Sequence, residues 1–377
     1  MTASEQELVL SEAQIDEIAS GQPTAATLAL LSTGQAALRR VLLWSVARRL
    51  GEPASEAFAL LGSAAEAARE AVEEIVVRPF AHDWGLRALT ADPETALTGL
   101  RTLATAAAVR AGLDVDTTLP VTGDELFLPG LGVADRLHCG TVTVRQAAGE
   151  PALGCPHPGA PAPRWRAART VGLTGDWSIT LEEHEPRRIV LGRPLALTPA
   201  ALQAAEVSLQ RAWAVVRADF PGYAPTVRHL LRSLVALAGD DTRSNSSSSP
   251  VAVGCIAMDL DVPVPVTTHM LIHETQHLLL AATDDLAPLC VADCRETFRA
   301  PWKHFPRPTP AMLQGVFAHS AVIEYWLTRW RAGEDDRQAL WNFTYLREVT
   351  SPAIAEVRGS ADLTTAGRRL VDGLLAR

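Results

Sequence analysis

Thr268-His269-Met270-Leu271-Ile272-His273-Glu274-Thr275-Gln276-His277-Leu278-Leu279-Leu280 is the stretch on which the reading of this chain turns. Two histidines four residues apart on a helix stack on one face and can share a metal ion. The glutamate between them is the residue a metal-dependent hydrolase uses as general base. The surroundings favour a helix: Pro263 and Pro265 break the preceding extended run, and Thr267 or Thr268 offers an N-cap hydroxyl. Met270, Leu271, Ile272, Leu278, Leu279 and Leu280 then supply apolar faces up to Asp284 and Asp285.

From that helix to the C-terminus the pattern stays helical, with long runs at 311–331, 335–348 and 364–376. Upstream, between about Val115 and Val264, the period changes. Leu126–Gly130, Thr141–Val144, Trp177–Leu181 and Val251–Met258 read as strands separated by Gly, Pro and Asp turns, with helices expected at 198–219 and 225–238. Asp240–Pro250, where Ser244 and Asn245 lead into four further serines, reads as a polar loop or edge connector, and its position allows a lid over the motif helix. From Leu8 to about Gly112 the chain is a series of Ala- and Leu-rich helices broken at Gly21-Gln22-Pro23, Gly51-Glu52-Pro53 and Asp92-Pro93. His82, in the segment Val77–Gly85, reads as a structural histidine. The expectation is an α+β protein, mostly helical, in which helices flank a small central sheet and carry a zincin-like HExxH helix. The expected regions are a helical one at 1–114, a mixed strand and helix one at 115–265, and a helical metal-binding one at 266–377.

With 377 residues, 47% apolar and 20% charged, the chain can bury a full core. Its formal charge of −9 argues against a nucleic-acid or anionic-membrane surface, either of which calls for a basic patch, and fits a peptide partner better. No signal-peptide apolar region follows Met1 and no apolar run is long enough to span a bilayer, so the expected location is the cytoplasm. The five cysteines are therefore expected to stay reduced. Cys290 and Cys294 read as small buried residues on one helical face rather than as a zinc thiolate pair, since no second pair accompanies them. Cys155-Pro156-His157-Pro158 reads as a loop.

A metal held by two helix histidines needs at least one more protein ligand, and His304, His319 and Glu324 are the downstream candidates. His319 is preferred, because it lies in the apolar run Leu313–Val322, where an imidazole is costly to bury unless it is paired or metallated. Glu324 follows five residues later, about 500° around the helix, and points away from His319, so only one of the two can serve. His269 continues the histidine stripe one turn earlier and reads as a supporting or structural residue.

The run from Leu271 to Trp326, with Ile272–His277, Ala300-Pro301-Trp302, Pro306-Arg307-Pro308 and Leu313–His319, resembles the HExxH-motif peptide-modification proteins. These are encoded in gene clusters for ribosomally synthesised, post-translationally modified peptides, often beside or fused to a radical-SAM maturase. Val77-Arg78-Pro79 through Trp84-Gly85, and Leu128-Pro129-Gly130-Leu131-Gly132, extend the resemblance more weakly upstream. The resemblance implies an iron- and 2-oxoglutarate-dependent hydroxylase that oxidises the β-carbon of a residue in a precursor peptide, and it allows recognition through the peptide's leader. Lys303 stands where an arginine is expected, and the segment 290–296 does not align.

Two mechanisms and one inactive role compete. As a zinc peptidase, the chain would hold Zn²⁺ on His273, His277 and a third ligand, with Glu274 as general base. As an oxygenase, three neutral histidines would hold Fe(II) with its full charge left for a dianionic cosubstrate. The distal carboxylate of 2-oxoglutarate then needs an arginine fork, for which Arg307, between two prolines, comes first, Arg299 second and Arg295 third. Glu274 would in that case orient a ligand or substrate group. The third role is an idle module that binds a leader peptide, against which an intact motif with a buried distal histidine weighs.

Overall fold

The computed structural model describes residues 8–121, 123–137, 139–147, 150–154, 163–239, 245–333 and 336–377. Helices dominate and sheets are small, as the α+β expectation required. The three breaks act as read, and the chain breaks again at Ala68 and at Val77-Arg78, where no break was expected: helices run Glu12–Ala19, Ala25–Leu50, Ser55–Ala67, Arg69–Val76, Pro79–Ala88 and Pro93–Arg110. Gly51 ends the second of these with φ +67°, a left-handed geometry that glycine adopts without a Cβ clash. Thr24 and Asp92 cap their helices through side-chain oxygens.

Two large apolar cores organise the described chain. One gathers Val72, Ile75, Leu100, Leu103 and the alanines of Pro93–Arg110 with Leu119, Leu128, Val142 and Val144 of short antiparallel strands. The other holds the motif helix and joins both ends of the chain, because Ile15, Ile18, Leu28 and Leu31 pack with Leu370, Val371 and Leu374. Arg369 ties the same ends by pairing with Glu12 and Asp16.

The sheet beside the motif helix has five strands. In spatial order they are Ser246–Ser248, Cys255–Asp259, Ser233–Leu237, Trp177–Leu181 and Arg169–Thr174. The Ser233 strand pairs in parallel with both its neighbours, and the outer strands run antiparallel. This corrects the helix expected at 225–238: the helix is only Ala224–Leu230, and Ser233–Leu237 is a central strand buried at every residue. A parallel strand covered on both faces reads as an unbroken apolar run, which periodicity cannot separate from buried helix. The Val251 strand likewise begins only at Cys255, after a 3-10 turn at Pro250–Ala252.

The serine run is also more ordered than a loop. Ser246–Ser248 is an edge strand antiparallel to Cys255–Asp259, while 240–244 lies outside the described residues, as does the Cys155–Pro158 loop. The motif helix spans Val264–Leu286 and begins earlier than expected, with Pro263 at the N-cap and Pro265 in the first turn, where no backbone donor is missed. Thr267 and Thr268 do not cap it; their hydroxyls bond back to the carbonyls of Pro263 and Val264. Two long helices follow, Thr309–Arg331 and Asp336–Arg358, the latter continuing past Pro352, and the chain ends with Thr365–Leu375.

Two expectations about cysteine fail. Cys139 is disulfide-bonded, whereas Cys255, Cys290 and Cys294 are free. Cys290 and Cys294 do not share a helical face either: the helix has already ended at Leu286, and both lie half-buried in the following loop. Among the described residues no helix is long and apolar enough to cross a membrane.

Candidate metal centre

The motif helix separates its polar residues by face. Thr275 and Gln276, the two positions between Glu274 and His277, are fully buried. Thr275 bonds its hydroxyl back to Leu271, and Gln276 reaches the Gly21 carbonyl at 3.4 Å, so both are spent on packing. His273, Glu274 and His277 face instead into a cavity of about 690 Å³. The serine strand forms one wall and the Thr309–Arg331 helix another; the segment carrying Trp302, Lys303 and Arg307 closes a third side.

His273 and His277 bring their Nε2 atoms to 3.2 Å. Two imidazoles bound to one ion at about 2.1 Å, and about 90–110° apart, place their nitrogens about 3.0–3.4 Å apart, so this spacing suits a shared ion. His319 enters from the facing helix, its ring centroid 5.3 Å from that of His273. Its Nδ1 lies 2.8 Å from the Gly315 carbonyl, which can only accept, so Nδ1 carries the proton and Nε2 keeps its lone pair. Burial holds His273 far below the ordinary imidazole range and pushes His319 down to about 4, the neighbouring histidines adding to both shifts and Lys303 to that of His319. Neutral, unprotonated Nε2 atoms are what a divalent cation requires. Among the described residues no group of three or more His, Cys, Asp and Glu side chains is already placed to hold a metal ion. What fits an ion is the His273–His277 pair, with its two nitrogens at ligand spacing and the His319 ring beside them.

His319 is held from its other side by Trp302, at a centroid distance of 4.3 Å. Trp302 comes this close because Gly315 has no Cβ, which would lie 2.3 Å from the indole. The remaining candidates are placed elsewhere. Glu324 accepts from Gln22, from the Tyr223 hydroxyl and, at 2.9 Å, from Arg377, a network that fastens the chain's two ends and leaves no carboxylate for the cavity. His269 sits among Tyr325 and Trp326, its pKa lowered by burial to about 4. His304 is exposed and does not line the cavity.

Glu274, 2% exposed, accepts from the Ser248 hydroxyl at 2.7 Å through one oxygen, and its other oxygen lies 4.0 Å from His273 Nε2. Of the three arginines singled out by sequence, only Arg307 lines the cavity, with its guanidinium 5.6 Å above Phe305. Arg299 and Arg295 are exposed and off the cavity; the Arg295 amide is bound to Asp362. Lys303 lines the cavity as well, and neither it nor Arg307 meets a carboxylate among the described residues.

No known family and no curated protein matches this chain.

Sequence reasoning passed over Ser248, Trp302 and Gln314 as site residues. Trp302 carried a signal, since a tryptophan in Ala300-Pro301-Trp302 close to an apolar-run histidine is a natural ring partner. Ser248 carried none, because a run of serines lacks the alternation that marks a strand.

Proposed function

We propose that this protein is an Fe(II)- and 2-oxoglutarate-dependent hydroxylase that oxidises the β-carbon of a residue in a ribosomally synthesised precursor peptide. One observation carries the reading: the cavity that collects His273, His277 and His319 also collects Lys303 and Arg307, which pair with none of the carboxylates in its lining, Glu274, Asp284 and Asp285, nor with any other among the described residues. Imidazole ligands leave an ion's full charge uncompensated; with Glu274, Asp284 and Asp285 engaged by Ser248, the Leu289 amide and Gln35, Lys303 and Arg307 remain to meet a dianionic cosubstrate. His273, His277 and His319 would hold the ion. Iron with 2-oxoglutarate, when bound, would supply the oxidising chemistry. Arg307 offers two parallel donors to a carboxylate, and Lys303 a second positive charge.

The serine strand supports a peptide substrate. Asn245 accepts from the Asp259 amide at 2.8 Å, which marks an inward-bonded pair. By the alternation of an antiparallel ladder, Ser247 also bonds inward, and the backbone groups of Ser246 and Ser248 point to the open edge. An extended chain can pair with such an edge. Trp302 and the apolar floor at Leu280 and Ala281 help exclude water.

A zinc peptidase remains the second reading, favoured by Glu274, which lies close enough to His273 to reach a solvent molecule there. The mass of a candidate peptide after incubation with Fe(II), 2-oxoglutarate and O₂ separates the two. A gain of one oxygen supports the hydroxylase; two fragments summing to peptide plus water, formed without 2-oxoglutarate, replace it with the peptidase.

A further inference from the structure

We propose that Gln314 is a positioning residue that fixes His277 as the Nδ1–H tautomer, so that its Nε2 presents a lone pair to a cation beside His273. This rests on the metal-centre reading above and adds to it the origin of one ligand's proton arrangement.

The geometry is local. His277 Nδ1 lies 2.9 Å from Gln314 Oε1, across the gap between the motif helix and the Thr309–Arg331 helix. A neutral imidazole has one N–H, so an acceptor at Nδ1 forces Nε2 to be the unprotonated nitrogen. The amide nitrogen in the same place would do the reverse: it would donate to Nδ1, leave the proton on Nε2 and block that atom as a ligand. The orientation of a single side-chain amide thus decides whether His277 can bind.

The same turn sets a second ring. The residue after Gln314 is Gly315, whose carbonyl takes the Nδ1 proton of His319 at 2.8 Å. Adjacent residues therefore define two imidazoles, one by a side chain and the other by the backbone. His273 contrasts with both, because its Nδ1 is buried with no hydrogen-bond partner among the described residues. If Gln314 served only to join two helices, any side chain of similar size would replace it. A positioning role instead demands an acceptor oxygen at this point.

The test uses the full chain and two readouts. The first is the tautomer of His277 in metal-free protein, from long-range ¹⁵N–¹H correlation of the imidazoles assigned by His277→Ala. The second is the affinity for Zn(II) and, anaerobically, Fe(II), by chelator competition. Wild type and Gln314→Glu, which keeps the acceptor, are expected to show the Nδ1–H form and tight binding. Gln314→Leu is expected to mix the tautomers and weaken binding by about 10–100-fold, the usual effect of losing a partner behind a ligating histidine. If Gln314→Leu does not fold, Gln314→Met provides the acceptor-free comparison. Unchanged tautomer and affinity within twofold in the acceptor-free variant would overturn the positioning role while leaving the metal reading intact. Failure of wild type to bind either ion would overturn both.

Discussion

Replacing Arg307 with alanine tests the cosubstrate half of the proposal most directly. Arg307 is partly buried in the wall of a cavity of about 690 Å³ and meets no carboxylate among the described residues. Truncating one partner of a buried charge pair costs about 2–5 kcal/mol, much of it from the charge left unpaired. Two features push the value to the low end: Arg307 keeps some contact with solvent, and Lys303 stays in the same cavity to screen the stranded carboxylate. About 2 kcal/mol corresponds to a roughly 30-fold rise in the 2-oxoglutarate concentration required. The assay is succinate formation against 2-oxoglutarate concentration, paired with calorimetric titration of 2-oxoglutarate into the Fe(II)-loaded protein under nitrogen. Metal content should not change. Arg307→Lys should recover part of the loss, since an ammonium cannot reproduce two parallel hydrogen bonds, and the combined Arg307→Ala, Lys303→Ala change should exceed either alone. Arg299→Ala, outside the cavity, should stay within twofold of wild type. A combined variant that binds 2-oxoglutarate as tightly as wild type would refute the reasoning.

Other predictions follow from the same geometry. Metal-free protein should lose stability as pH falls from about 6.5 to about 4: His269 and His319 are held near 4 in the fold, so the unfolded chain binds more protons throughout that window. Each group contributes at most ~3 kcal/mol, present above the unfolded value and lost on acidification, and His269→Phe should flatten the slope in urea titrations across this range. A steady or rising stability over the window would contradict the buried neutral imidazoles. Gly315→Ala puts a methyl 2.3 Å from Trp302 and should displace the indole from His319, weakening metal binding in chelator competition; affinity equal to wild type would show that Trp302 does not brace that ring. Glu274→Gln should retain metal and part of its 2-oxoglutarate-dependent succinate formation, whereas a peptidase should lose at least about 100-fold in turnover. Glu324→Gln should leave metal content intact while lowering the unfolding free energy by about 1–3 kcal/mol, because it breaks the network to Tyr223 and Arg377; loss of metal with stability unchanged would return Glu324 to the ligand set.

What the sequence conveyed, and what it did not, divides along physical lines. The motif helix and most helices before Gly112 were legible because Pro, Gly or a capping side chain marks their ends; the break at Ala68, between Ser55–Ala67 and Arg69–Val76, carries no such mark and was not. Trp177–Leu181 was legible because its buried residues alternate, at Trp177, Ile179 and Leu181. Ser233–Leu237 was not, since a strand buried on both faces offers no alternation, and Ser246–Ser248 was not, since its partner is a backbone rather than a core. The site divides in the same way. His319 stood out as a polar ring in an apolar helix, but the choice between Arg307 and Arg299 depended on which face of a short hairpin meets the cavity. That hairpin is only Thr297–Phe298 paired with Arg307–Pro308, too short to leave a periodic signature.

The helix and the hairpin also divide the functional argument. His273, Glu274 and His277 would be arranged similarly in a hydrolase and in an oxygenase, and their neighbours Thr275 and Gln276 serve the core in either case. Nothing on the motif helix therefore separates the two chemistries except the engagement of Glu274. In this fold the Ser248 hydroxyl already occupies one of its oxygens and turns part of the carboxylate toward the sheet edge. The cations come from Lys303 and Arg307 in the segment 302–307, of which Trp302 packs against the core while Lys303 is exposed and Arg307 partly so. On the proposed function, a metal held by the core helix, with counter-charges for a co-ligand on the hairpin, would let one scaffold exchange water-based for cosubstrate-based chemistry by changing residues such as Lys303 and Arg307. The class of reaction should accordingly follow the hairpin's charge rather than the motif.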